Sequence, residues 1–165
     1  MTSDEEARRR VAELVEAARI AYVTTVTPDR QLVSRPLAVQ QRGKFDGDLW
    51  FFTADPSNKT AQVSANNQVD VAFQADNGYV SISGTGTVSH DRAVIDELWN
   101  SGAEAWFEGG KDDPNVALLQ VRAESAEYWA MDQPTAVTML KYARAKVTGE
   151  RPDVGTNEAV DLNHG

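Results

Sequence analysis

A serine hydroxyl, a lysine ammonium and a predicted helix start come together in the stretch Ser57-Asn58-Lys59. The stretch follows an apolar run over 49–53 and the turn signal Asp55-Pro56. The first turn of a helix has free backbone N–H groups, which together with Ser57 and Lys59 could bind an anion. The sequence therefore suggests a site for a phosphate-bearing ligand. The alternative is an ordinary serine helix cap with a solvated lysine.

Arg35 is a second candidate for an anion site. It lies in a predicted strand over 32–40, where a period of two places every second side chain on one face. Three apolar residues share its face: Val33, Leu37 and Val39. A cation among apolar side chains needs an anionic partner, either one of the 25 Asp and Glu side chains or a ligand. An edge strand facing water, which Pro36 favours, is the third alternative.

Composition limits the classes of function. The chain has 165 residues, 41% of them hydrophobic, which is enough for one substantial core. Its net charge is −9, and no basic run extends beyond Arg8-Arg9-Arg10, so we expect no nucleic-acid partner. No cysteine is present, so redox chemistry would require a cofactor. No apolar run reaches membrane-spanning length, and we expect a cytoplasmic protein without a membrane partner.

Hydrophobic periodicity predicts a helix over 3–18, several short strands, a helix over 91–99 and a long strand over 116–129. The short strands are expected at 20–26, 32–40, 49–53, 69–74 and 79–88, and the long one is expected to break near Glu124-Ser125. Residues 100–114 read as an irregular loop, and 135–147 is ambiguous between strand and helix. Short antiparallel strands with flanking helices indicate an α+β barrel. We expect one domain over 1–150 and an exposed tail over 151–165.

A set of motifs, in a fixed order, carries a family resemblance. The motifs are Ser34-Arg35-Pro36-Leu37, Trp50-Phe51-Phe52-Thr53 with Ser57-x-Lys59, Tyr79-Val80-Ser81-Ile82-Ser83-Gly84, Trp106-Phe107 with Asp112-Asp113-Pro114, Ala126-Glu127-Tyr128-Trp129 and Val147-Thr148-Gly149. Together they resemble the general stress protein branch of the pyridoxamine 5′-phosphate oxidase-like flavoproteins. The resemblance spans roughly 10–162, nearly the whole chain.

The resemblance implies a split β-barrel homodimer that binds FMN at the subunit interface. By position, Arg35, Pro36 and Leu37 would line the flavin, with Arg35 on its phosphate side. Phe52 and Thr53 would border the ring or ribityl chain, and Ser57 and Lys59 would hold the phosphate. Trp129 would meet the flavin from the partner subunit, and Trp106 would lie near the ring; core packing is the alternative for both tryptophans.

The departures from the family pattern narrow the implied chemistry. Asn58 stands where the oxidase has a second phosphate-binding cation, and Tyr79 stands where it has a flavin-contacting glutamine. The usual Asp after Tyr-Trp is replaced by Ala130. Residues 131–139 contain none of the cations that grip pyridoxal phosphate in the oxidase, so we expect no vitamin B6 oxidation.

Two classes of function stay open. One is an FMN-dependent oxidoreductase whose small-molecule electron donor and acceptor the sequence does not name. The other is a flavin carrier or sensor without turnover, and no catalytic residue is identified in either class. FAD or the deazaflavin F420 are alternative cofactors. The only histidines are His90 and His164, both expected at the surface, so a hydrolytic triad or a histidine metal cluster would need residues that the chain lacks. Neither lies on a predicted barrel-lining strand, which disfavours haem.

Overall fold

A computed structural model describes residues 3–75, 78–130, 143–149 and 156–163. Within these ranges the chain forms helices and strands in the following order: α1 (Ser3–Ala17), β1 (Ile20–Val26), β2 (Leu32–Ala38), β3 (Asp48–Ala54), α2 (Asn58–Ala65), β4 (Gln68–Ala75), β5 (Gly78–Ser89), α3 (Arg92–Leu98), α4 (Ser101–Trp106), β6 (Val116–Ala130), α5 (143–148) and β7 (Thr156–Asp161). No helix among the described residues is long and apolar enough to cross a membrane.

One antiparallel sheet contains all seven strands. Its order is β2-β1-β4-β5-β6-β3, and β7 also pairs with β6. The two ends of this order meet, because the backbone N–H of Gln40, just after β2, donates to the carbonyl of Trp50 in β3 at 2.8 Å. The sheet therefore curves towards a barrel. The predicted α+β class with mostly antiparallel strands is confirmed.

The main core lies between the sheet and the amphipathic helix α1. Val11 and Leu14 of α1 are fully buried, as are Phe51, Val71 and Ile82 of the sheet. A second core, of smaller size, forms where α3 packs against β3 and β6. It contains Trp50, Val94, Ile95, Leu98, Val116 and Leu118. Because adjacent residues of a strand face opposite ways, β3 contributes to both cores and fixes their relative position.

The predicted break in the long strand is a β-bulge. In the pairing of β5 with β6, Ser83 faces Ser125 and Gly84 faces Ala123, so Glu124 has no partner residue in the ladder. A bulge bends its strand and increases the local twist. β6 therefore pairs with β3 before the bulge and with β7 after it.

The C-terminal region is where the sequence prediction was wrong. Residues 156–161 were expected in an exposed tail, but they form β7 on the free edge of β6. Val160 and Leu162 are buried in the main core. The segment is short, and apart from Ala159, Val160 and Leu162 it is polar, so its periodic signal is weak. Its strand conformation depends on the partner strand.

Two further differences concern helices. Residues 101–106, expected in an irregular loop, form α4, whose N-cap Asn100 accepts a hydrogen bond from the Ala103 N–H at 3.1 Å. Gly102 in its first turn lowers the helix propensity that sequence reasoning relies on. Of the ambiguous stretch 135–147, residues 143–147 are helical and the rest lies outside the described residues.

Candidate functional site

Arg35 lies on the edge strand β2 and turns inward. Its Nη1 donates to the Thr25 hydroxyl at 2.7 Å and to the Val23 carbonyl at 3.3 Å, and its Nη2 donates to Gln62 Oε1 at 3.2 Å. The edge-strand alternative is thus correct for the backbone, whereas the guanidinium faces β1 and α2 instead of water. The inward orientation follows from the register, which pairs Arg35 with the fully buried Val23.

Lys59 lies in the first turn of α2 and is half-buried. Its Nζ donates to the Thr53 hydroxyl at 2.7 Å. Thr53, at the end of β3, is itself buried and donates to the carbonyl of Ala54 at 3.2 Å. Lys59 is therefore held against the strand that precedes it, so the solvated-lysine alternative does not describe its position.

The partners of both cations are neutral. None of the ion pairs formed by the described residues includes Arg35 or Lys59. Burial, and secondly the positive charge of Arg35, lower the pKa of Lys59, and burial also lowers the pKa of Arg35. The two cations thus form one electropositive cluster whose charge no carboxylate of the described chain offsets.

Ser57 is the N-cap of α2. Its hydroxyl accepts the Thr60 N–H at 3.2 Å, and its own N–H donates to the Thr60 hydroxyl at 2.9 Å, which completes a capping box. The helix-cap reading of Ser57 is therefore correct. It leaves the first N–H groups of α2, at 58 and 59, without an intrahelical acceptor, as at any helix start.

The nearest carboxylate in the sequence is directed elsewhere. Asp55 Oδ2 lies 2.6 Å from His90 Nε2, at the junction of β5 and α3. Hydrogen bonds from His90 and then Thr60 lower the pKa of Asp55. Asp55 therefore supports the loop before α2 instead of neutralising Lys59.

Two site residues were not identified from the sequence, Thr25 and Gln62. Thr25 is fully buried on β1, and its hydroxyl donates to Gln62 Oε1 at 2.7 Å. Gln62 lies three residues after Lys59, so both side chains leave the same face of α2. The three-residue spacing of Lys59 and Gln62 was the signal available in the sequence. It indicates a shared site only once the strands that pack against α2 are known.

Pro36 and Leu37 follow Arg35 along β2. Pro36 is exposed on the outer face of the sheet, and Leu37 is partly buried against the main core. The structure therefore places the three residues in a row at the sheet edge, with their side chains alternating between the two faces.

Phe52 and Trp106 are not brought to the cation cluster. Phe52 points away from Thr53 and packs against Trp99, with ring centroids 5.5 Å apart, and against Phe107 at 6.3 Å. Trp106, at the end of α4, is 86% exposed. Neither side chain has a hydrogen bond or ring contact with Arg35 or Lys59.

Trp129 lies on the outer face of the sheet. It pairs with Tyr79 of β5, and both rings are partly exposed, at 39% and 44%. Arg35 points to the inner face, and its described hydrogen bonds go to Val23, Thr25 and Gln62. The described contacts within one chain therefore do not join Trp129 to Arg35.

Comparison with known proteins relates this arrangement to one family. The family model for pyridoxamine 5′-phosphate oxidase-like proteins matches residues 6–153. General stress protein 26 of Bacillus subtilis is 26% identical over 118 residues, which cover 62% of this chain and 84% of that protein. Protein bli-3 of Neurospora crassa is 26% identical over 129 residues, 72% of this chain, and the match spans only 62% of the length of bli-3.

Solved structures share the fold. A protein from Jannaschia sp. CCS1 described as a general stress protein 26 superposes with a TM-score of 0.77 at 27% identity, covering 96% of this chain and 99% of its own. The general stress FMN/FAD binding protein of Xanthomonas citri is 31% identical with a TM-score of 0.69, over 79% of this chain and 92% of its own. These similarities confirm the split-barrel fold. The chain belongs to the pyridoxamine 5′-phosphate oxidase-like family, in its general stress protein 26 branch.

Proposed function

We propose that this protein binds a phosphate-bearing flavin through Arg35 and Lys59, with FMN as the first candidate. The observation that carries the proposal is that two half-buried cations lie close together with only neutral partners. Holding such a pair costs free energy unless an anion joins it, since each positive charge has lost water and gained a like neighbour. A phosphate dianion supplies the missing charge.

The donor set fits a phosphate. Arg35 offers a planar guanidinium, Lys59 an ammonium, and the start of α2 two backbone N–H groups, all of which are phosphate donors. The chain as a whole carries a net charge of −9 and repels an anion, so local binding must overcome that repulsion. Charge-assisted hydrogen bonds contribute about 1.5–3 kcal/mol each, which is sufficient.

The direct test is FMN titration of the flavin-free protein, followed by flavin fluorescence. Lys59→Met keeps the aliphatic stem and removes the charge, and we expect it to weaken FMN binding about 10- to 100-fold. Lys44→Met is the matched control, because Lys44 is exposed and the substitution removes the same charge at another place. Equal FMN affinity of the two variants would contradict the phosphate assignment.

The flavin is proposed to lie at the interface of a homodimer. The outer face of the sheet exposes apolar side chains on four strands, namely Ile20, Tyr22, Leu32, Tyr79 and Trp129. Several large exposed apolar side chains on one sheet face are typical of an interface. Within one chain no described contact joins Trp129 to Arg35 or Lys59, so a second copy would have to supply the tryptophan that the family resemblance places at the flavin. Light scattering should give the mass of a dimer, and Tyr22→Lys should give monomers that bind FMN more weakly; a wild-type monomer would contradict this arrangement.

The proposed activity is that of an oxidoreductase with a small electron donor and acceptor. A bound flavin supplies the electron-transfer chemistry, and the chain supplies binding and orientation. Anaerobic reduction of the bound flavin by NADH or NADPH, followed by reoxidation with a small acceptor, tests turnover. Reduction with repeated turnover supports an enzyme.

A flavin carrier or sensor is the second candidate. It is favoured by the cation cluster itself, in which the described partners are two threonine hydroxyls, one amide and one carbonyl, with no carboxylate or histidine for proton transfer. Stoichiometric binding without turnover would support it. Parallel titrations with FAD and F420 identify the cofactor, since the same cations suit their phosphates.

A further inference from the structure

The side chains of Arg35, Thr25 and Gln62 form a closed ring of hydrogen bonds. Arg35 donates to Thr25, Thr25 donates to Gln62, and Arg35 also donates to Gln62. Both donors to Gln62 meet the same atom, Oε1, at 2.7 Å and 3.2 Å. Gln62 Oε1 is therefore one of the three acceptors that orient Arg35, beside the Thr25 hydroxyl and the Val23 carbonyl, and it also accepts from Thr25.

The chemistry of the ring fixes which way the Gln62 amide faces. A guanidinium has no acceptor, so the atom that Arg35 meets must be the amide oxygen. The amide nitrogen then lies on the other side. Among the described residues Nε2 has no hydrogen-bond partner, and no buried side-chain nitrogen or oxygen is unsatisfied. Nε2 is thus a solvent-accessible donor on the same helix face as Lys59.

Neutrality at position 62 has an electrostatic consequence. A glutamate has nearly the same shape and would accept the same two hydrogen bonds. It would also form an ion pair with Arg35 and cancel half of the charge of the cluster. With the amide, Arg35 is held in place and keeps its full charge available to a ligand.

We infer that Gln62 determines the selectivity of this site for a phosphate-bearing ligand: it positions Arg35 through Oε1 without neutralising it. The inference rests on the proposed flavin function and assigns the selectivity to a residue outside the Ser-x-Lys motif. Gln62 is a positioning residue, since it acts through Arg35.

The test compares Gln62→Glu with Gln62→Met, using FMN and riboflavin, which lacks the phosphate. Gln62→Glu should lower the ratio of FMN to riboflavin affinity about 10- to 100-fold, the effect of losing one charge-assisted phosphate contact. Gln62→Met removes the acceptor without adding charge and should lower the ratio only a few-fold. Gln31→Glu, at an exposed position, controls for the added negative charge.

Flavin-free stability provides a second readout. Gln62→Glu should raise the melting temperature, because Arg35 gains a counter-ion, whereas Gln62→Met should lower it. An unchanged FMN-to-riboflavin ratio in Gln62→Glu, or equal ratios in the Glu and Met variants, would overturn the inference. If the wild-type protein itself does not prefer FMN to riboflavin, the proposed phosphate site is wrong, and that result is distinguishable from failure at Gln62 alone.

Discussion

Arg35 on the edge strand β2 and Lys59 in the first turn of α2 are like charges that act on each other electrostatically. The positive charge of Arg35 adds to burial in lowering the pKa of Lys59. Their hydrogen-bond partners, Thr25, Gln62 and Thr53, bring no negative charge. In a protein with a net charge of −9, such a pair lowers the stability of the flavin-free fold, and the proposed binding of a phosphate would offset that cost.

Removal of the Lys59 charge should therefore not destabilise the flavin-free protein. We expect the melting temperature of Lys59→Met to be unchanged or raised by up to about 3 °C, because repulsion and desolvation are relieved. Calorimetry of flavin-free protein measures this, with Leu14→Ala as a core control that should melt lower. A clear fall for Lys59→Met would mean that its bond to Thr53 is structural.

Flavin binding should depend on pH in a direction set by Lys59. Its pKa in the free protein lies below the ordinary value of 10.5, and a bound phosphate would raise it. Affinity for FMN relative to riboflavin should fall as pH rises through the lowered pKa, starting below 10.5. It should also fall below about pH 6, where phosphate loses its second charge.

Lys59→Arg tests whether the loss of FMN preference at alkaline pH comes from deprotonation of Lys59. Arginine stays charged throughout this range, so the variant should keep its FMN preference at alkaline pH. The stability of the flavin-free protein should change with pH in the opposite direction to the FMN affinity. Because the folded state favours neutral Lys59, the free energy of unfolding should increase as pH rises from the lowered pKa towards 10.5. An alkaline loss of FMN preference that persists in Lys59→Arg would assign the titration to another group.

Arg92 fastens the segment between α4 and β6. Its guanidinium donates to four backbone carbonyls, those of Lys111, Asp113, Pro114 and Val116, at 3.1–3.5 Å. A lysine cannot donate to all four carbonyls from one planar group, so Arg92→Lys should lower the free energy of unfolding by about 1–3 kcal/mol. Urea denaturation measures the change. Arg9→Lys is the control, because Arg9 forms only an exposed helix pair with Glu13, and it should change the free energy of unfolding by less than about 0.5 kcal/mol. An equal effect at both positions would show that the hydrogen bonds of Arg92 do not stabilise the fold.

Val160 tests whether β7 is part of the folded core. Val160→Asp introduces a carboxylate at a site only 3% exposed and should lower the free energy of unfolding by about 3 kcal/mol or more. Val147→Asp is the matched control, since Val147 is 88% exposed and should tolerate the change within about 0.5 kcal/mol. Similar urea midpoints for the two variants would mean that β7 does not contribute to stability.

The sequence predicts much of the fold because local pattern and burial agree along most strands. The alternation in β1 and β2 places Arg35 on the inner face, and the bulge at Glu124 is where the long strand was expected to break. β7 is missed because its conformation depends on a distant partner strand. α4 is missed because its capping residue acts on a helix of only six residues.

The candidate site is predicted only in part, for a similar reason. Arg35 is a cation on the apolar face of a predicted strand, and Lys59 is a cation at a predicted helix start. Each can therefore be identified from the sequence alone. Thr25 and Gln62 are ordinary polar residues, and only the packing of α2 on β1 gives them a role. Phe52 was predicted to border the flavin from its position in a motif, but strand alternation directs its ring to the second core.

The ratio of FMN to riboflavin affinity tests the central claim most directly, since the two ligands differ by the phosphate alone. We predict that the flavin-free wild-type protein prefers FMN by at least about 100-fold, from two charge-assisted contacts. The double variant Arg35→Met, Lys59→Met should bind both ligands with nearly equal affinity. A wild-type ratio near one, or a double variant that keeps the wild-type ratio, would contradict the account.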